Sequence, residues 1–139
     1  MGRILVAEDD DDAREIFREV LEANGHEVDV ARDGAETMAR LRRTQFDVLL
    51  LDLMMPRMNG WEVRAAMLRD EKLSRLPVVI VTADATTSGE DWSLCAAGFL
   101  PKPISYTSLI VAVKRALAKY SRHGEGGRAA AGAALEKRP

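Results

Sequence analysis

"FDVLLLD", residues 46–52, places the aliphatic run Val48 to Leu51 between two aspartates. A strand with one wet face alternates apolar and polar side chains, whereas an apolar run without alternation suits a strand covered on both faces. "LPVVIVT" (76–82) reads the same way, and "RILVAE" (3–8), "HEVDVA" (26–31) and "FLPK" (99–102) complete a set of short β-rich runs. Segments with helical spacing separate them. The first helix puts Ala13, Ile16, Phe17, Val20 and Leu21 on one face and stops at Asn24-Gly25, a C-terminal cap. "DGAE" opens the second, with Asp33 capping and Glu36 reaching back, and "NGWE" opens the third in the same way through Asn59 and Glu62. A weaker fourth helix is predicted around residues 88–97. The last starts near Ser105 with Tyr106, Leu109, Ile110, Val113 and Leu117 as its apolar stripe.

Strand and helix alternating five times imply right-handed crossovers and an α/β sandwich of three layers, with a five-stranded parallel sheet in the middle. The 139 residues, 47% apolar and 30% charged, suit a single domain, here assigned to residues 1–120. Residues 121–139, rich in glycine and alanine with Leu135 as the one large aliphatic, are expected to form a flexible tail or linker. A net charge of −2 gives no strong attraction to nucleic acid or anionic lipid. The single cysteine, Cys95, excludes an intrachain disulfide and a multi-cysteine zinc site, and is expected to be a small buried residue. Neither a signal peptide nor a membrane-spanning run is apparent, so the expected location is cytoplasmic, without membrane insertion. His26 and His123 have no evident partner residues and do not suggest a phosphohistidine.

In doubly wound sheets the ligand site lies beyond the carboxyl ends of the strands, where the strand order reverses. That rule brings Glu8, Asp9, Asp52 and Thr82 to one edge, each at the end of a predicted strand. Taken singly, each has an ordinary reading. Acids before a helix serve as solvated caps that suit the helix dipole, which is the reading adopted for Asp10, Asp11 and Asp12. Asp52 alone reads as a turn residue, Lys102 between two prolines as a surface lysine, and Thr82 as the last β-branched residue of its strand. Their joint arrival at one sheet edge favours a cation site lined by acids.

The pattern "ILVAED", "DVLLLDLMMPRMNG", "VTA" and "KP" resembles the receiver domain of two-component response regulators, the family of the chemotaxis receivers, over residues 3 to about 120. The resemblance implies a flavodoxin-like fold with strand order 2-1-3-4-5 and Mg²⁺-dependent phosphoryl transfer, with Mn²⁺ as a possible substitute. The donor would be a sensor histidine kinase or a histidine phosphotransfer protein, and the output an unidentified downstream protein. Matched position by position, Asp52 is the phosphoacceptor, Asp9 a direct metal ligand, Glu8 a ligand acting through water, and Met54 a backbone-carbonyl ligand. Thr82 and Lys102 match the hydroxyl and ammonium that bind the phosphoryl group, Phe99 the aromatic switch partner of Thr82, and Lys102-Pro103 a cis peptide. Magnesium prefers hard oxygen ligands, and phosphoryl transfer needs charge neutralisation more than covalent help, so these residue types suit the chemistry.

Rival families fit less well. A flavodoxin needs a glycine- and hydroxyl-rich phosphate loop where this chain has "EDDDD". A phosphatase of the haloacid dehalogenase type wants a second acid two residues after its nucleophile, where this chain has Met54. A receiver that has lost phosphorylation and serves only as an interaction module remains the alternative. One departure from the family pattern is the direct run from Ala97-Gly98 into Phe99, which predicts a shortened connection and an altered output face.

Overall fold

The computed structural model describes residues 2–83 and 95–129, those from 119 on as backbone only. Five strands, β1 (Arg3–Ala7), β2 (Glu27–Ala31), β3 (Val48–Asp52), β4 (Val78–Thr82) and β5 (Gly98–Pro101), form one sheet in the order β2-β1-β3-β4-β5. All neighbours are parallel, with Ile4 opposite Val28 and Val48, Leu49 opposite Val78, and Val79 opposite Gly98. This is the predicted flavodoxin-like order. Among the described residues the helices are α1 (Asp11–Ala23), α2 (Gly34–Arg43), α3 (Gly60–Leu68) and α4 (Tyr106–Ala129), with a 3-10 turn at Leu73–Arg75.

The unbroken apolar runs are explained by two cores. Side chains alternate across a strand, so Leu5, Leu49, Leu51 and Ile80 face α2 and α3, packing with Met38, Leu41, Val63 and Met67. Their neighbours Ile4, Val6, Leu50 and Val79 pack on the other face with Phe17 and Leu21 of α1 and Leu109 and Val113 of α4. Every residue of β3 and β4 is buried.

Local signals set the helix starts. Asp10 accepts from Ala13 N–H at 3.0 Å and so caps α1. Asp33 caps α2, but Glu36 reaches back to the N–H of Arg32, one residue before the cap. At α3, Asn59 and Glu62 complete the reciprocal capping box.

Several expectations change. Ile16 is 39% exposed and Tyr106 57%, so both apolar stripes are narrower than predicted. Cys95 is exposed, at φ 47°, with its carbonyl held by Arg64 of α3 at 3.1 Å. His26 does have a partner, because its Nδ1 accepts the N–H of Gly2 at 3.2 Å. Of the helix predicted around 88–97, residues 88–94 lie outside the described residues and 95–97 are not helical. Ala97 N–H already bonds Val78 O at 2.7 Å, so β5 begins at once after that segment. Among the described residues no helix is long and apolar enough to cross a membrane.

Gly60, the first residue of α3, lies directly beneath the end of β3. A Cβ there would sit 2.5 Å from Asp52 O and 2.6 Å from Leu53 Cα. Gly60→Ala should therefore destabilise the fold by about 2 kcal/mol or more despite alanine's better helix propensity. Urea denaturation checks this, with Asn59→Ala as a comparison expected to lose about 1 kcal/mol through the cap.

Candidate functional site

The chain runs from β1 to β2 on one side and then crosses back to β3 on the other side of β1, so the winding reverses between β1 and β3. The carboxyl ends of these two strands deliver the predicted acids. Glu8 directly follows β1, and its N–H is tied to Ala31 O at 3.0 Å. Asp52 ends β3, and both side chains are buried. Asp9 is exposed at the rim. Carboxylate oxygens from Glu8, Asp9 and Asp52 lie within 4.8 Å of one another.

Lys102 enters from the loop after β5. Its Nζ is 2.9 Å from Glu8 Oε1 and 3.2 Å from Asp52 Oδ2, a bridge between two buried carboxylates. The Lys102–Pro103 peptide is cis, and the lysine backbone N–H bonds Thr82 O at 2.9 Å. Thr82 is buried at the end of β4. Asp52 Oδ1 accepts the N–H of Met54 at 3.0 Å, while the Met54 side chain is 57% exposed. Phe99 is half-buried and packs against the core on the α2 and α3 face. Glu8, Asp9, Asp52, Met54, Thr82 and Lys102 thus gather at one edge, and Phe99 stands on the adjoining strand opposite Ile80.

Charge dominates this edge. Burial pushes the Glu8 carboxyl up to about 7, with Lys102 pulling it down and Asp52 pushing it further up. Burial works to lower the Lys102 ammonium, but its hydrogen bond and charge pairing with Glu8, together with Asp52, hold it above the ordinary lysine value.

The donor set fits a hard divalent cation. Glu8 Oε1 is buried and, apart from the nearby ammonium, receives no aligned hydrogen bond. Two oxygens on opposite sides of Mg²⁺ stand about 4.2 Å apart, so carboxylates already this close need little movement to share one ion. A depression of about 460 Å³ opens beside them, lined by Asp9, Met54, Pro56, Asn59 and Trp61.

Some participants are not visible in the motif pattern. Arg14 of α1 donates to Glu8 O at 3.0 Å and also pairs with Asp11, bracing the acidic turn from outside. Arg57 pairs with Asp33 at 2.8 Å. Arg64 is 3% exposed within α3. An arginine six residues after Glu8 hints at the first contact; neither of the other two has a local signal.

The model of the response regulator receiver domain matches residues 4–114. PilH of Pseudomonas aeruginosa is 31% identical over 120 residues, covering 85% of this chain and 99% of PilH. The response regulator MprA of Mycobacterium leprae is 37% identical over 117 residues, 83% of this chain but only 50% of MprA, so the chain spans about half of that relative. Among solved structures, the chemotaxis response regulator CheY4 of Vibrio cholerae superposes with TM-score 0.77 at 28% identity, covering 84% of this chain and 99% of CheY4. TrrA of Thermotoga maritima, solved in complex with Mg²⁺ and BeF, gives 0.76 at 29% identity, with 84% of this chain and all of TrrA covered. Family match, sequence relatives and fold agree with the acidic edge built by β1 and β3: this chain belongs to the response regulator receiver domain family.

Proposed function

We propose that the chain accepts a phosphoryl group on Asp52 from a phosphohistidine of a sensor histidine kinase or histidine phosphotransfer protein, and so switches a protein-interaction surface. The observation that carries this reading is the buried Asp52 carboxylate, held by Lys102 at 3.2 Å with Glu8 and Asp9 beside it. TrrA, a relative by fold, was solved with Mg²⁺ and BeF bound.

An Asp52 carboxylate oxygen attacks phosphorus, the phosphorus–nitrogen bond breaks, and the imidazole leaves with the electron pair. The Met54 N–H and the Lys102 ammonium each engage one Asp52 oxygen, which orients the carboxylate before the donor arrives. Lys102 then transfers its attraction from carboxylate to phosphoryl oxygen, and the Thr82 hydroxyl donates to another. Asp9, Asp52 and the Met54 carbonyl, with Glu8 through water, would hold Mg²⁺, which would supply positive charge to neutralise the phosphoryl oxygens, and Mn²⁺ would offer the same oxygen chemistry. As Thr82 is drawn toward the phosphoryl group, Phe99 turns into the space it leaves. Burying that ring, at roughly 25 cal/mol per Å², couples phosphorylation to the surface seen by a downstream protein.

Incubation with a small phosphodonor and Mg²⁺ should add one phosphoryl group by mass spectrometry, and Asp52→Asn should abolish it. Undiminished labelling of that variant overturns the assignment, and absence of labelling in the parent favours the pure interaction module. Asp9→Asn should weaken Mg²⁺ binding at least about tenfold, while Asp12→Asn leaves it nearly unchanged.

The acidic edge also predicts a pH dependence in metal-free buffer. Glu8 has an ordinary value of 4.5 and a folded value of about 7, so between these values the folded state holds a proton that the unfolded chain has released. Its stabilising contribution is complete below about pH 4.5 and is lost as the pH rises through about 7. Glu8→Gln removes that loss, so its stability relative to the parent should rise across this window and then level off. A difference that stays flat from pH 4.5 to 8 in thermal unfolding refutes the burial argument.

A further inference from the structure

The loop joining β3 to α3 carries Asp52 at its root and an unusual conformation at its tip. Arg57 has φ 65°, a left-handed backbone that residues bearing a side chain adopt only at a cost. Around it, Met58 N–H bonds Pro56 O at 2.7 Å, closing a three-residue turn of a strained kind. Two contacts with the start of α2 hold this tip. Arg57 Nε and Nη2 lie 2.9 and 2.8 Å from Asp33 Oδ2. Next to it, Met58 O passes so close to Gly34 that a Cβ there would be 1.9 Å away.

Asp33 is well placed to hold the arginine. Its Oδ1 accepts the Glu36 N–H at 2.8 Å as the cap of α2, so the carboxylate is fixed before Arg57 reaches it. Its side chain is 11% exposed, whereas that of Arg57 is 68% exposed. At its base the loop is closed by Gly60 N–H to Leu53 O at 2.9 Å. Between base and tip lies Met54, whose N–H orients the Asp52 carboxylate at 3.0 Å.

Resting on the proposed phosphoacceptor role of Asp52, we infer that the Asp33–Arg57 pair is a positioning clamp for the phosphoacceptor loop. Neither residue touches the reacting atoms. The pair offsets the strain at Arg57, fixes the loop tip against α2, and thereby sets where Met54 presents its N–H to Asp52 and its carbonyl to a cation. A displacement of the loop by even an ångström alters both.

The test separates the pair from the strain it offsets. Arg57→Gly removes the guanidinium but also relieves the left-handed backbone, and Asp33→Asn removes the charge while keeping a capping oxygen. Each should weaken Mg²⁺ binding, followed by Trp61 fluorescence, and slow labelling by a small phosphodonor by about three- to tenfold. Arg57→Gly should do so without loss of thermal stability. Combining the two substitutions should cost no more than one alone, and Arg57→Lys should restore part of both properties. Arg75→Ala, which removes the exposed pair with Glu71, serves as the control and should leave both unchanged.

A parent that binds Mg²⁺ and labels normally, with Arg57→Gly and Asp33→Asn matching it, overturns the clamp and leaves the phosphoacceptor reading intact. Additive effects of the two substitutions overturn the clamp in the same way. A parent that neither binds Mg²⁺ nor labels overturns the phosphoacceptor reading, and the clamp with it.

Discussion

The ammonium of Lys102, 2.9 Å from Glu8 and 3.2 Å from Asp52, is the contact on which the site depends. Two carboxylates at close range repel by about 4 kcal/mol at an effective dielectric of 20, and burial raises the cost. A single cation between them reverses the sign of the local interaction. The three partners come from the ends of different strands, so the bridge forms only when β1, β3 and β5 are assembled in one sheet. Fold and site are therefore one problem. Helices on both faces exclude water from the strands, and this exclusion makes the charges costly to hold and strengthens the field they exert at this edge.

Much of the architecture was legible because it rests on short-range rules. "VLLL" and "VVIV" lack alternation, and the structure covers both faces of β3 and β4. Asp10, Asp33 and Asn59 cap helices where their side chains and spacing predict. The acidic edge could be placed because a strand end is a topological position, and parallel topology sends every strand's carboxyl end to the same side.

What could not be read depends on tertiary geometry. Ile16 follows the helical period of α1, but Phe17 and Leu21 occupy the middle of the buried stripe and leave it on the margin. Tyr106, in the first turn of α4, is left exposed. Cys95 has the usual preference for burial, but it sits in a left-handed turn that presents its carbonyl to Arg64. Arg57 adopts a backbone for which residue preferences give no warning, since arginine is no turn former. Its partner Asp33 lies 24 positions away, beyond any local pattern.

Three partners compete for the Glu8 carboxylate: a proton, the Lys102 ammonium and a cation. Burial lifts its pKa to about 7, so the carboxyl holds its proton to a higher pH than an exposed glutamate does. A cation bound there would displace the proton and share the carboxylate with lysine, which would link metal affinity to pH. It also links affinity to stability, because a ligand bound only by the folded state adds RT ln(1 + [L]/Kd), about 2.7 kcal/mol at a hundred times Kd. Against a typical folding free energy of about 5–15 kcal/mol this is a large share. Clustered acids that burden the metal-free fold therefore become, once charge is supplied, a source of its stability, and the repulsion that has to be relieved is also the driving force for binding.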